Sequence, residues 1–131
     1  MSCRQVLTTN LKGDPGIVEI YTRHHRDVWP EVQASLRQAG VERMDIYLLG
    51  RRLVMVVEMR DGLDYRTAFA AHASSSPRVA EWERLMKSLQ EPAAEARADE
   101  WWAAMEPVFH LKQDAAKEPA IAHVADRSRT L

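Results

Sequence analysis

The densest group of side chains able to move protons is the run Tyr21-Thr22-Arg23-His24-His25-Arg26-Asp27-Val28-Trp29-Pro30. On a helix Tyr21 and His25, four residues apart, share one face, whereas His24 points about 100° away. Imidazole is the side chain whose unperturbed pKa lies nearest neutrality, so a histidine beside a tyrosine hydroxyl suits general acid/base work. The same spacing also fits a helix in which His25 fills a semi-polar core position and Tyr21 simply packs. Neighbouring histidines on a helix cannot both face one ion, and no HExxH spacing is present, so no metal site is expected. Trp82 and the pair Trp101-Trp102 either offer ring faces to the C–H face of a sugar or pack in a core. Glu58 lies inside an apolar run, where a carboxylate is costly unless paired; it marks either the exposed end of a strand or a polar site. Arg51-Arg52 and the charges from Glu81 to Arg84 read as solvated surface. There is no GxSxG, P-loop, GxGxxG or CxxC motif.

The elements that must position these residues follow from periodicity and turn chemistry. Residues 3 to 11 read as a strand ending in Lys12-Gly13-Asp14-Pro15. Asp14 and Pro15 are a cap and first position for a helix carrying Ile17, Ile20, Tyr21, His24 and His25. Pro30 breaks it near Asp27 to Trp29, and a second helical segment runs from Pro30 to Gln38, stopped by Gly40. Arg43 to Leu49 and Leu53 to Arg60 form a hairpin around Gly50. Asp64 caps a short helix to about Ala73, and Ser76-Pro77 opens a helix with Val79, Trp82, Leu85, Met86 and Leu89 at helical spacing, which Glu91-Pro92 terminates. Residues 93–100 fit a loop or one helical turn. Alternation from Trp101 to Leu111 predicts a last strand, placed at an edge by Pro107.

The resulting order, β-α-β-β-α-β, predicts an α+β, ferredoxin-like split βαβ fold, with helices on one face of an antiparallel sheet. The hairpin strands are apolar on both faces, so the uncovered face is expected to pack on a second copy, making a homodimer, or to enclose a ligand.

The chain has 131 residues, of which 46% are hydrophobic and 28% charged. That is the balance of one globular domain, read here as residues 1–111; the polar remainder, 112–131, is expected to be a flexible tail. Eighteen basic against nineteen acidic residues give a net charge of -1, which disfavours nucleic acid or an anionic membrane as partner. A single cysteine, Cys3, cannot close an intramolecular disulfide, and the N-terminal residues are too polar for a signal peptide, so a cytoplasmic location is expected.

The segment Tyr21-x-x-x-His25-x-x-Val28-Trp29-Pro30-Glu31-Val32 resembles the YxxxHxxxWPE signature of the L-rhamnose mutarotase family. Three further stretches match in order: GVERMDIYLLGRRLVMVVEM (Gly40 to Met59), VAEWERLM (Val79 to Met86) and EWWAAMEPVFHL (Glu100 to Leu111). The resemblance implies a cofactor-free isomerase that interconverts the α and β anomers of a 6-deoxy sugar. It also implies a dimeric α/β barrel of ferredoxin-like protomers with the site between sheet and helices. Carried onto matching positions, His25 is the general acid/base, Tyr21 a hydroxyl contacting the sugar and Trp82 a wall of the pocket. Met44, Trp29 and Glu58 complete the candidate substrate-binding set. Met44 stands where rhamnose enzymes often carry an aromatic residue, and Glu81-Trp82 where they carry paired tryptophans. With the LGRRL turn, these departures look more like the branch associated with L-fucose. The rival readings are a non-catalytic ligand-binding or regulatory module on the same scaffold, and a haem- or oxygen-using enzyme with His24 or His25 as axial ligand.

Overall fold

The computed structural model describes residues 3–111. Its elements are β1 (Cys3–Leu11), α1 (Ile17–His25), α2 (Pro30–Ala39), β2 (Val41–Leu49), β3 (Arg52–Met59), α3 (Tyr65–Ala73), α4 (Pro77–Leu89), β4 (Gln90–Glu91) and β5 (Ala103–Ala104). The sheet is antiparallel with strand order β2-β3-β1-β4, and β5 pairs with β1 as well. This is the ferredoxin-like arrangement expected from the element order.

β3 shows why the sheet has one inner and one outer face. Leu53, Met55, Val57 and Met59 are buried, while Arg52, Val54, Val56 and Glu58 alternate with them on the other side. The register sets Leu7 opposite Met55 on β1 and Ile46 opposite Met55 on β2, so one apolar face runs across all three strands. Onto it pack Tyr21 of α1, Val32 of α2, Ala68 of α3, and Val79, Trp82, Met86 and Leu89 of α4. The helix ends obey local chemistry. Asp64 accepts the Thr67 N–H at 3.1 Å, Ser76 accepts the Val79 N–H at 3.2 Å, and Gly40 closes α2 at φ 107°, a left-handed conformation that glycine adopts without a Cβ clash. Pro30 opens α2 at its first turn, where a missing N–H costs nothing.

Two expectations are corrected. The first helix starts at Ile17, not Pro15: Gly16 takes φ 85°, and Asp14 accepts the Ile17 N–H through its backbone carbonyl at 3.3 Å instead of capping with its side chain. The strand expected from Trp101 to Leu111 is the two-residue β5, after which, among the described residues, only the Met105 N–H reaches β1, at Val6 O, 2.8 Å away. Pro107 has no N–H to extend the ladder, and Val108, Phe109 and Leu111 lie exposed. Residues 93–100, left open above, form two turns, with the Glu100 carboxylate accepting the Arg97 N–H at 3.0 Å. The proposed tail 112–131 lies outside the described residues.

Candidate active site

Between the inner sheet face and the helices lies an open cavity of about 1220 Å³, somewhat above the ~300–1,000 Å³ usual for ligand sites. Tyr21 and His25 enter it from successive turns of α1, Met44 and Ile46 from β2, Trp82 and Glu83 from α4.

Tyr21 is buried and its ring stacks on His25, with centroids 4.1 Å apart. His25 Nδ1 lies 2.9 Å from the Tyr21 carbonyl oxygen. A carbonyl only accepts, so Nδ1 carries the hydrogen, and in the neutral ring Nε2 holds the free lone pair. Burial lowers the His25 pKa below its ordinary value, against the opposing effect of that carbonyl, and neighbouring His24 lowers it further. His25 is therefore a neutral base at pH 7. Tyr21 is pushed up to about 12, chiefly by burial, with a hydrogen bond from Gln90 opposing and the charge of Glu83 adding. Its hydroxyl stays protonated, a donor and not a base.

Trp82 forms the next wall, meeting His25 at 5.6 Å and Trp29 at 5.0 Å, both edge-on. Trp29 does not line the cavity; it backs Trp82 and is itself covered by the Arg78 guanidinium, 3.5 Å from its ring centroid. His24 meets Trp82 at 6.1 Å and is likewise outside the lining, as helical periodicity requires. Met44 lies on the cavity floor. Glu58 is not part of this group: it stands on the outer sheet face, 3.5 Å from Arg4, because it alternates with the inward Val57 and Met59.

Two residues of the lining had been overlooked. Gln90, 3% exposed, takes the Trp101 Nε1–H at 2.8 Å on its Oε1, and its amide stands close enough to the Tyr21 hydroxyl to oppose the rise of that group's pKa. Glu83 faces inward although its neighbours Glu81 and Arg84 are exposed. The signal was present for Glu83: the apolar stripe of α4 runs through Val79, Trp82, Met86 and Leu89, and position 83 borders it, whereas Gln90 lies beyond the helix in β4. A polar residue on an apolar stripe marks either a cost or a site. Among the described residues no group of three or more His, Cys, Asp and Glu side chains could hold a metal ion.

Fold and site together define a ferredoxin-like α+β protein whose cavity pairs a neutral imidazole base with a protonated phenol beside tryptophan. The comparisons carry this further. The family model described as L-rhamnose mutarotase matches residues 4–111. The L-fucose mutarotase of Xanthomonas campestris is 36% identical over 106 residues, covering 79% of this chain and 84% of that one. The L-rhamnose mutarotase of Burkholderia orbicola is 29% identical over 108 residues, covering 82% and 99%. In fold, the crystal structure of an L-rhamnose mutarotase from Formosa agariphila superposes with a TM-score of 0.59 at 18% identity, covering 84% of this chain and 99% of the other. The chain belongs to the L-rhamnose mutarotase family.

Proposed function

We propose that the protein is a mutarotase that interconverts the α and β anomers of a 6-deoxyhexose, L-rhamnose or L-fucose, by general acid/base ring opening at His25. The observation that carries this is the hydrogen bond from His25 Nδ1 to the Tyr21 carbonyl, which leaves Nε2 as a free base in a cavity walled by Trp82. In the reaction Nε2 takes the proton of the anomeric hydroxyl and the O1 electrons form the C1 carbonyl. The C1–O5 bond breaks as O5 is protonated by the imidazolium. The aldehyde rotates, and reversal closes the ring on the other face. O1 and O5 are bonded to the same carbon, so one ring can serve both. The Tyr21 hydroxyl binds the sugar as a donor, in keeping with its raised pKa, and Met44 offers an apolar floor. Positioned proton transfer contributes roughly 10²–10⁴-fold, enough for a reaction that also runs unaided and calls for no metal or nucleotide.

The working form in this reading is a cytoplasmic homodimer. Its support is the outer sheet face, where Val6, Val54 and Val56 stand half-buried and Tyr47 and Leu49 are exposed. The exposed free thiol of Cys3 suits a reducing compartment. The test of function is NMR saturation transfer between the anomers of L-rhamnose and of L-fucose, with and without protein: accelerated exchange supports a mutarotase, and binding without exchange supports a binding module.

A further inference from the structure

One polar cluster of the cavity has no part in the proton transfer just described. His72 of α3 is buried, with Nδ1 2.8 Å from Ser35 Oγ; Ser35 Oγ is 2.9 Å from Ser75 Oγ, and the Ser75 hydroxyl donates to the His72 carbonyl at 2.8 Å. Counting hydrogens sets every direction. Ser75 has one hydrogen and gives it to the carbonyl, so Ser35 must donate to Ser75, and Ser35 Oγ can then only accept, from the His72 Nδ1–H. This closed ring of bonds pins the imidazole from α2, α3 and the turn after α3. Its remaining nitrogen, Nε2, lies 3.5 Å from the Glu83 carboxylate; in the neutral ring it holds a lone pair, so it bonds that carboxylate only when the ring carries a second proton.

The pinned ring packs against Glu83 and limits where its carboxylate can lie at the cavity wall. Among the described residues its carboxylate accepts no hydrogen bond, and it is partly open to the cavity it lines. It stands one residue beyond Trp82, the wall of the anomeric end, and close enough to Tyr21 to act on its hydroxyl by charge. A carboxylate with open acceptor sites beside a protonated phenol matches a neutral polyhydroxylated ligand, and it repels an anionic one.

Resting on the mutarotase reading, we propose that Glu83 is a sugar-binding residue whose carboxylate accepts a hydrogen bond from a ring hydroxyl other than the anomeric one, and that His72, pinned by Ser35 and Ser75, is the positioning residue that aims it. The pocket then selects neutral monosaccharides over carboxylated ones.

The experiment measures KM and saturated rate of anomer exchange for L-rhamnose, L-fucose and their 2-, 3- and 4-deoxy forms. The proteins are wild type, Glu83→Gln, His72→Phe and His72→Gln, each checked for folding by circular dichroism. Glu83→Gln raises KM about tenfold, with most of the loss in KM. For one deoxy sugar wild type and Glu83→Gln share the same KM, because the contact is already missing. His72→Phe raises KM for the intact sugar and adds nothing on top of Glu83→Gln, while His72→Gln, which places an amide N–H in reach of the carboxylate, restores much of it. A KM within twofold of wild type for Glu83→Gln, or an equal penalty for every deoxy sugar, overturns the proposal. If wild type accelerates neither sugar, the mutarotase reading fails by itself. Saturation-transfer-difference binding of the same sugars to wild type and Glu83→Gln then decides: weaker binding by the variant upholds Glu83, and equal or absent binding overturns it.

Discussion

The Tyr21 and His25 rings stack 4.1 Å apart with planes 28° off parallel, while the His25 Nδ1–H donates to the carbonyl of Tyr21 itself, 2.9 Å away. One turn of helix therefore fixes the orientation and tautomer of the base and the position of the phenol together. Removing His25 should cost the most. His25→Ala is expected to lower the catalysed exchange by about 10²–10⁴-fold. Tyr21→Phe keeps the ring and loses one hydrogen bond, ~0.5–1.5 kcal/mol or roughly 2- to 12-fold. His24→Ala should do least, since His24 is outside the cavity lining. Exchange rates of the three folded variants check the ordering, and equal damage from His24→Ala and His25→Ala would contradict it.

The pH profile tests the same base. Burial holds the His25 pKa below 6.5, and the neutral ring is the active form, so activity is lost as pH falls through that lowered value and is flat above it. Tyr21, raised to about 12, adds no descending limb near neutrality. Exchange followed from pH 4 to 9 should rise to half its plateau below 6.5; a midpoint above 7 would be at odds with a desolvated imidazole.

Gln90 binds Trp101 from a fully packed position beside the Tyr21 hydroxyl. Gln90→Leu leaves the Trp101 N–H without its acceptor and should destabilise the fold by ~1–3 kcal/mol. It should also weaken sugar binding, because the polar group beside the Tyr21 hydroxyl is lost. Urea unfolding and KM measured on one sample show whether both effects occur.

The outer sheet face predicts the assembly. Sedimentation should show twice the 15.0 kDa protomer mass at micromolar concentration. Val56→Arg, a charge in the middle of the half-buried valines, should shift the protein to monomer. A wild type that sediments as a monomer would remove the homodimer from the proposal.

Deletion of residues 112–131 should leave exchange unchanged, since that composition offers no contiguous apolar face. Loss of activity in the truncated protein, with the fold intact by circular dichroism, would show that this segment contributes to a site.

Much of the molecule is local and could be read directly. The alternation of Leu53 to Met59, the Asp64 and Ser76 caps, the Pro30 break and the Gly40 stop all act within a few residues, so element order and helix boundaries follow from the sequence. Helical period alone put Tyr21 and His25 on one face and His24 on another. What the period could not supply is depth. Glu83 reads as one more charge among Glu81 to Arg84 until α3 brings the buried His72 against it, and Gln90 has meaning only where α4 ends beside Leu11 and the chain returns through Trp101. Glu58 was placed in the site although the alternation of its own strand turns it outward; its partner Arg4, far away in sequence, is met only across the sheet. The last strand failed for a related reason: pairing needs free N–H and C=O groups in register on both chains, and β1 pairs with 103–104 and takes the Met105 N–H, but Pro107 has no N–H to carry the ladder on. Side-chain type and spacing determined the candidate chemistry; which polar groups lost their water, and to whom they were then bonded, only the tertiary structure decided, because desolvation and hydrogen-bond partners depend on contacts between residues distant in the chain.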